Sequence, residues 1–213
     1  MKQARVSNNV IRRLPRYLRK LDELRSAGVD RISSGELGRQ MGLTSSQIRQ
    51  DFSCFGEFGQ QGYGYNVTAL RGEIASILGM DRHFSAVLVG VGGLGSALAG
   101  YGGFKSYGLN IVAAFDTDPA RIGKEVGGVR VYGADVLSQT VREKKVRIGV
   151  IAVPKQAAQA AADALVEGGV RAIWNFAPVH LALPADIAVK NEDMAASLAI
   201  LSRRLAEILK NEK

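Results

Sequence analysis

Cysteine is almost missing: Cys54 is the single one in 213 residues. That excludes an internal disulfide and a zinc site built on thiolates, and it suits a reducing cytoplasm. No apolar run approaches the roughly 18 residues a membrane-spanning helix needs. The opening Met1-Lys-Gln-Ala-Arg5 lacks the apolar centre of a signal peptide. Neither a membrane nor a metal is expected as partner. Histidine is confined to His83 and His180, which leaves little for general acid–base chemistry. Acid is absent from the first 20 residues, which carry Lys2, Arg5, Arg12, Arg13, Arg16, Arg19 and Lys20.

What is present is uneven. Of the net charge of +8, residues 1–80 hold +5 and residues 81–213 hold +3. The basic start is an electrostatic footprint for a polyanion, or else a solvated basic helix face. Apolar residues make up 46% of the chain, enough for genuine cores.

The N-terminal part reads as helices and a wing. Val10, Leu14, Tyr17, Leu18, Leu21 and Leu24 recur at helical spacing, and Gly28 supplies a stop. Ser33-Ser34 caps a short helix over residues 35–40, ended by Gly42. Thr44-Ser-Ser-Gln47 is a capping box that opens another helix, with Ile48 and Phe52 inward. The tight turn between them has helix-turn-helix proportions. Residues 55–65 set four glycines among aromatics, a composition suited to a β-hairpin wing. A helix over residues 67–78 leads to a domain junction near Arg82.

From residue 85 strands and helices alternate, with candidate strands at 86–89, 111–115, 129–131, 148–153, 172–175 and 187–189. The clearest helix between them is 156–167. Such alternation implies a doubly wound parallel sheet. The last stretch, 193–210, is a helix with Met194, Leu198, Leu201, Leu205 and Ile208 in one stripe. It either closes its own domain or docks on a partner subunit. The expected domains are 1–80, 81–192 and 193–213.

The segment Gly90-Val91-Gly92-Gly93-Leu94-Gly95-Ser96 carries the G-x-G-x-x-G spacing after an apolar strand. Gly90 allows the tight turn, Gly92 lets backbone approach a pyrophosphate, and Gly95 lets helix and strand pack closely. Asp116, at the end of the next strand, is placed to hydrogen-bond ribose hydroxyls and to repel a 2′-phosphate. NAD⁺ and NADH are therefore preferred over their phosphorylated forms, with Arg121 nearby as the opposing charge. Val153-Pro154 and Asn175-Phe-Ala177-Pro end later strands, where ligands bind in such sheets.

A dehydrogenase would need an acid–base group beside the nicotinamide and a place for substrate. His83 precedes the first strand, His180 follows the Asn-Phe-Ala-Pro loop, and one sheet with its helices uses up the residues after Arg82. A small NAD-dependent oxidoreductase with a helical appendage is thus the weaker reading. A nucleotide- or CoA-binding module acting through protein contacts is a third.

The chain resembles the Rex family of redox-sensing transcriptional repressors over nearly its whole length. The likeness is carried by Arg13-Leu-Pro-Arg-Tyr-Leu-Arg19, Ser33-Ser34, Gln47-Ile-Arg-Gln-Asp-Phe-Ser53, Phe55-Gly56, Gly62-Tyr-Gly-Tyr65, Gly90–Gly95 and Asn175-Phe-Ala-Pro-Val179. The resemblance implies a homodimer, with an N-terminal winged helix, a C-terminal Rossmann domain and a C-terminal helix exchanged between subunits. It implies that NADH releases the protein from operator DNA while NAD⁺ permits binding. It also implies a redox switch of Arg19, Tyr101 and Asp193, with Met194 where the family commonly has an aromatic residue. Gln50, Cys54, Gln60 and Gln61 depart from the family pattern, which commonly has basic residues or, at 54, tyrosine.

In a winged helix the 45–54 helix enters the major groove of double-stranded DNA. Ser46, Gln47, Arg49, Gln50 and Ser53 are candidates there, Arg49 for guanine and Gln47 or Gln50 for adenine. Gly62 and Tyr63 belong to the wing, and Arg13 and Arg16 to backbone phosphates. A two-fold dimer implies an inverted-repeat operator.

Overall fold

The computed structural model describes residues 7–54, 59–60 and 63–211. Two compact units divide the chain, Met1–Arg82 and His83–Lys213.

In the first unit, α1 (Asn8–Ser26) starts at Ser7, whose Oγ accepts the Val10 N–H, and runs through Pro15. Its apolar stripe is fully buried at Leu14, Tyr17, Leu18 and Leu21. Strand β1 (Arg31–Ile32) follows, then α2 (Ser34–Met41), capped by the Ser33 hydroxyl on the Glu36 N–H at 3.0 Å. Gly42 ends α2 with φ 68°, and Thr44 caps α3 (Ser45–Ser53) through the Gln47 N–H at 3.1 Å. Strands β2 (Gly59–Gln60) and β3 (Gly64–Asn66) complete an antiparallel sheet in the order β1-β3-β2. Helix α4 (Val67–Ile77) is capped by Asn66 and tied to α1 by Arg71 Nε on Asp22 Oδ1 at 3.0 Å. Phe52 of α3 stands edge-on to both Tyr17 of α1 and Tyr65 of β3, with centroids 4.9 and 5.1 Å apart. Such offset aromatic contacts lock α3 into the same core as α1.

The second unit is a seven-stranded sheet in the order β10-β9-β8-β4-β5-β7-β6. Its strands are β4 (Phe84–Val89), β5 (Leu109–Asp116), β6 (Glu125–Val126), β7 (Val129–Gly133), β8 (Ile148–Ile151), β9 (Ala172–Asn175) and β10 (Ala188–Asn191). The helices are α5 (Gly93–Ala99), α6 (Gly103–Ser106), α7 (Leu137–Glu143), α8 (Lys155–Gly168) and α9 (Met194–Asn211). Side chains alternate across a strand. Val87 and Val89 accordingly join one core with α7 and α8, while Ala86 and Leu88 join the other with Val131 and Val150. Six strands run parallel, as expected. The exception is β6, antiparallel to β7 across Gly127 and Gly128, both at positive φ. A two-residue glycine turn with this geometry makes a tight hairpin, so the parallel reading fails at that edge.

The chain passes from β4 to β5 and β7 on one side, then crosses to β8, β9 and β10 on the other. The carboxyl ends of β4 and β8 flank that reversal, the place where such sheets bind ligands. Among the described residues no helix is long and apolar enough to cross a membrane. No residue of α9 is buried: Leu198 and Leu201 are each 62% exposed, and Leu205 and Ile208 are both above half.

Candidate functional site

At the reversal lies a cleft of about 620 Å³ lined by Gly90, Gly92, Asp116, Arg121, Val153 and Pro154, with the alanines of α8 on one wall. Gly90 has φ 92°, and a Cβ there would lie 2.5 Å from the Ala152 carbonyl oxygen. At Gly95 a Cβ would overlap the Gly90 carbonyl oxygen, so the helix crosses the strand end only because both positions are glycine. Gly92 is different. A Cβ there would meet nothing nearer than an Arg121 guanidinium nitrogen at 3.9 Å, and the residue caps α5 without a side-chain hydrogen bond. The result is an open cradle of backbone beside Gly92, of the kind a pyrophosphate fills.

Asp116 closes the loop. Its Oδ2 accepts the Val91 N–H at 2.8 Å and Arg121 Nη1 at 3.1 Å, and its Oδ1 accepts the Asp118 N–H at 2.9 Å. Burial pushes this carboxyl up. The two backbone N–H groups and Arg121 outweigh burial and hold it below its ordinary value. Ser96 Oγ donates to the Val91 carbonyl at 3.1 Å, and Gly93 and Leu94 form the exposed first turn of α5.

Asn175 and Ala177 do not line this cleft. Asn175 is fully buried, and its Nδ2 donates to the Val179 carbonyl and to Asn191 Oδ1, each at 2.9 Å. Its Oδ1 accepts the Ala177 N–H at 3.0 Å. The satisfied amide shapes the loop from Phe176 to Val179.

Of the expected switch residues, Arg19 belongs to the first unit and Tyr101 and Asp193 to the second. Tyr101 is 58% exposed, packs edge-on to Phe104, and lines a smaller cleft of about 210 Å³ with Gly127 and Gly128. Asp193 Oδ1 accepts the Ala196 N–H at 2.8 Å and so caps α9, leaving Met194 exposed beside it. Arg19 is exposed on α1 of the first unit.

On that first unit, α3 turns Ile48 and Phe52 inward and exposes Ser46, Arg49, Gln50 and Ser53. Arg49 Nη1 reaches Ser34 Oγ at 3.3 Å, and Arg16 is exposed on α1. Tyr63 is 69% exposed before β3, whereas Gly62 lies outside the described residues. Two of the expected DNA contacts, Arg13 and Gln47, share a carboxylate of the same unit. Arg13 Nε and Nη2 donate to Asp51 Oδ2 and Oδ1, both at 2.7 Å. Gln47 Nε2 donates to Asp51 Oδ1 at 2.8 Å rather than closing the capping box. Tyr17 completes the set with its hydroxyl on Asp51 Oδ2 at 2.6 Å. Burial pushes the Asp51 carboxyl up. The bonds from Arg13, Tyr17 and Gln47 outweigh burial and hold the group below its ordinary value. In the sequence the charge of Asp51 points to the surface, yet the residue is fully buried. The signal available was its place three residues after Ile48, on the inner arc of the helix.

A helix-turn-helix unit with a small wing and an α/β unit with a dinucleotide cradle, on one chain, define a ligand-responsive DNA-binding regulator. The family model described as "CoA binding domain" matches residues 81–179, and the one described as "Putative DNA-binding protein N-terminus" matches residues 5–53. The redox-sensing transcriptional repressor Rex of Clostridium beijerinckii is 49% identical over 206 residues, covering 97% of this chain and 98% of that one. Rex of Caldicellulosiruptor bescii is 46% identical over 208 residues, 98% of this chain and 96% of that one. The crystal structure of RSP with β-NAD⁺ and operator DNA matches with TM-score 0.92 and 44% identity, over 98% of this chain and 96% of that one. RSP with β-NADH matches with TM-score 0.89 and 41% identity, over 99% of this chain and all of that one. The chain belongs to the Rex family of redox-sensing transcriptional repressors.

Proposed function

We propose that this protein represses transcription from an inverted-repeat operator when NAD⁺ occupies the second unit and leaves it when NADH does. The observation that carries the reading is the pairing, in one chain, of an exposed α3 face with a cradle at Gly92 and Asp116. Gly90, Gly92 and Gly95 fit a dinucleotide pyrophosphate, and Asp116 fits the ribose. Val153-Pro154 and the loop shaped by Asn175 wall the nicotinamide half. That ring is positively charged in NAD⁺ and neutral in NADH, a difference of one charge for the protein to read.

Arg19, Tyr101 and Asp193 are the residues we assign to that reading. A carboxylate near the ring is drawn either to the ring's charge or to Arg19, and one unit charge in a low-dielectric site biases two arrangements of a dimer. Asp193 comes from a second copy of the chain, whose α9 covers the apolar stripe that α9 leaves open here. Ser46, Arg49, Gln50 and Ser53 face bases or phosphates in the major groove, Tyr63 belongs to the wing, and Arg16 meets the backbone. A cytoplasmic location follows from this work on DNA.

The deciding experiment selects bound sequences from a random duplex pool with NAD⁺ or NADH present. A palindrome enriched with NAD⁺ and lost with NADH is the expected result. No enrichment in either condition overturns the reading.

A further inference from the structure

We propose that Asp51 is a positioning residue: it aims Arg13 at a backbone phosphate of the operator. The inference rests on the reading of the first unit as a DNA reader.

The geometry begins with a carboxylate that has no surface exposed. It receives four hydrogen bonds from three side chains, two from Arg13 and one each from Tyr17 and Gln47, at 2.6 to 2.8 Å. Two oxygens offer about four acceptor positions, so this carboxylate is saturated. Arg13 and Tyr17 belong to α1, Gln47 and Asp51 to α3, and the cluster therefore joins the basic helix to the groove-facing helix side by side.

What this does to Arg13 matters most. A guanidinium has five N–H donors in a rigid fork. Asp51 takes the edge formed by Nε and Nη2, which fixes the plane of the group. The other edge makes no hydrogen bond among the described residues, and the Arg13 side chain keeps 26% of its surface exposed. A fork with one edge pinned and the other edge open is organised in advance for a second two-oxygen anion. The surroundings select the sign. The first acid in the chain is Asp22, so along the first three turns of α1 the neighbours are Arg12 and Arg16, both exposed.

A purely architectural pair would serve as well with two apolar side chains, since burying ions costs about what their attraction returns. The open edge is what an apolar pair would lack. Gln47 is held by the same carboxylate, so the charge on Asp51 orients one side chain from each helix.

The test uses the full-length protein and the selected operator. Each phosphate of a half-site is replaced in turn by a neutral methylphosphonate, and affinity is measured at one salt concentration for wild type, Arg13→Gln and Asp51→Asn. Wild type is expected to lose about tenfold or more at one phosphate per half-site, the scale of a charge-assisted hydrogen bond. In Arg13→Gln that penalty disappears. In Asp51→Asn it shrinks at the same phosphate, penalties elsewhere stay as in wild type, and NADH affinity is unchanged. Tyr17→Phe, which removes one donor and keeps the charge, retains most of the penalty and covers the case in which Asp51→Asn does not fold. A uniform loss at every phosphate in Asp51→Asn would make Asp51 merely structural and overturn the proposal. So would a penalty that survives in Arg13→Gln. If wild type binds no operator at all, the DNA reading itself fails, an outcome distinct from both.

Discussion

The side chain of Asp116 holds the backbone N–H of Val91 at 2.8 Å across 25 residues of sequence. One carboxylate thus ties the glycine loop after β4 to the end of β5. Asp116→Ala is expected to lower NADH affinity about tenfold or more, the scale of hydrogen bonds to a charged group. Preference for NADH over NADPH should narrow as well, because Arg121 stays while the repelling charge goes. Calorimetric titration with both dinucleotides checks this. Unchanged NADH affinity in a folded variant would remove Asp116 from the ribose site.

Gly92 and Gly95 should behave oppositely. Gly95→Ala forces a methyl group onto the Gly90 carbonyl and is expected to destabilise the second unit by about 1–3 kcal/mol or more. Gly92→Ala meets open space, so its melting temperature should match wild type while NADH affinity drops. Trp174, the single tryptophan, reports the second unit by fluorescence in both melts. Equal melting temperatures for the two variants would contradict the packing described here.

Acid should weaken both units through named carboxylates. Asp51 and Asp116 have folded-state values below the ordinary 3.8. A depressed carboxyl contributes stability that is complete above its unfolded value and is lost as pH falls through the folded one. Stability is therefore expected to hold down to about pH 4 and to decline below it. Asp51→Asn should show a shallower decline in the first unit, measured by hydrogen exchange of α1 amides. An identical acid profile would mean that Asp51 is not the group being protonated.

The stripe on α9 predicts assembly. Leu201→Glu or Leu205→Glu is expected to yield monomers by sedimentation equilibrium. Operator affinity should fall about a hundredfold or more, since two linked half-sites reinforce one another. A dimer that persists in both variants would place the subunit contact elsewhere.

Much of this was legible in the sequence, and the exceptions share a cause. Periodicity exposed α1 and α9, the capping box exposed the start of α3, and the strand–helix alternation exposed the sheet and α8, because burial acts on apolar side chains in regular steps. The β6–β7 hairpin escaped although Gly127-Gly128 is itself a turn signal, since strands of two residues carry no pattern. The glycine loop could be read because backbone crowding admits only one residue type there. The partners of Asp51 and Asn175 could not, because a polar residue shows them only once distant segments meet. Arg13 and Gln47 point toward DNA on charge and hydrogen-bonding capacity, while the buried carboxylate between them becomes visible only in the fold.

Alternate residues of β4 belong to opposite cores, Val87 and Val89 on one face, Ala86 and Leu88 on the other. Neither layer of the second unit can therefore come apart while the other endures, and its unfolding should be a single all-or-none transition. Cofactor would then be released in the same event, never from a half-melted intermediate.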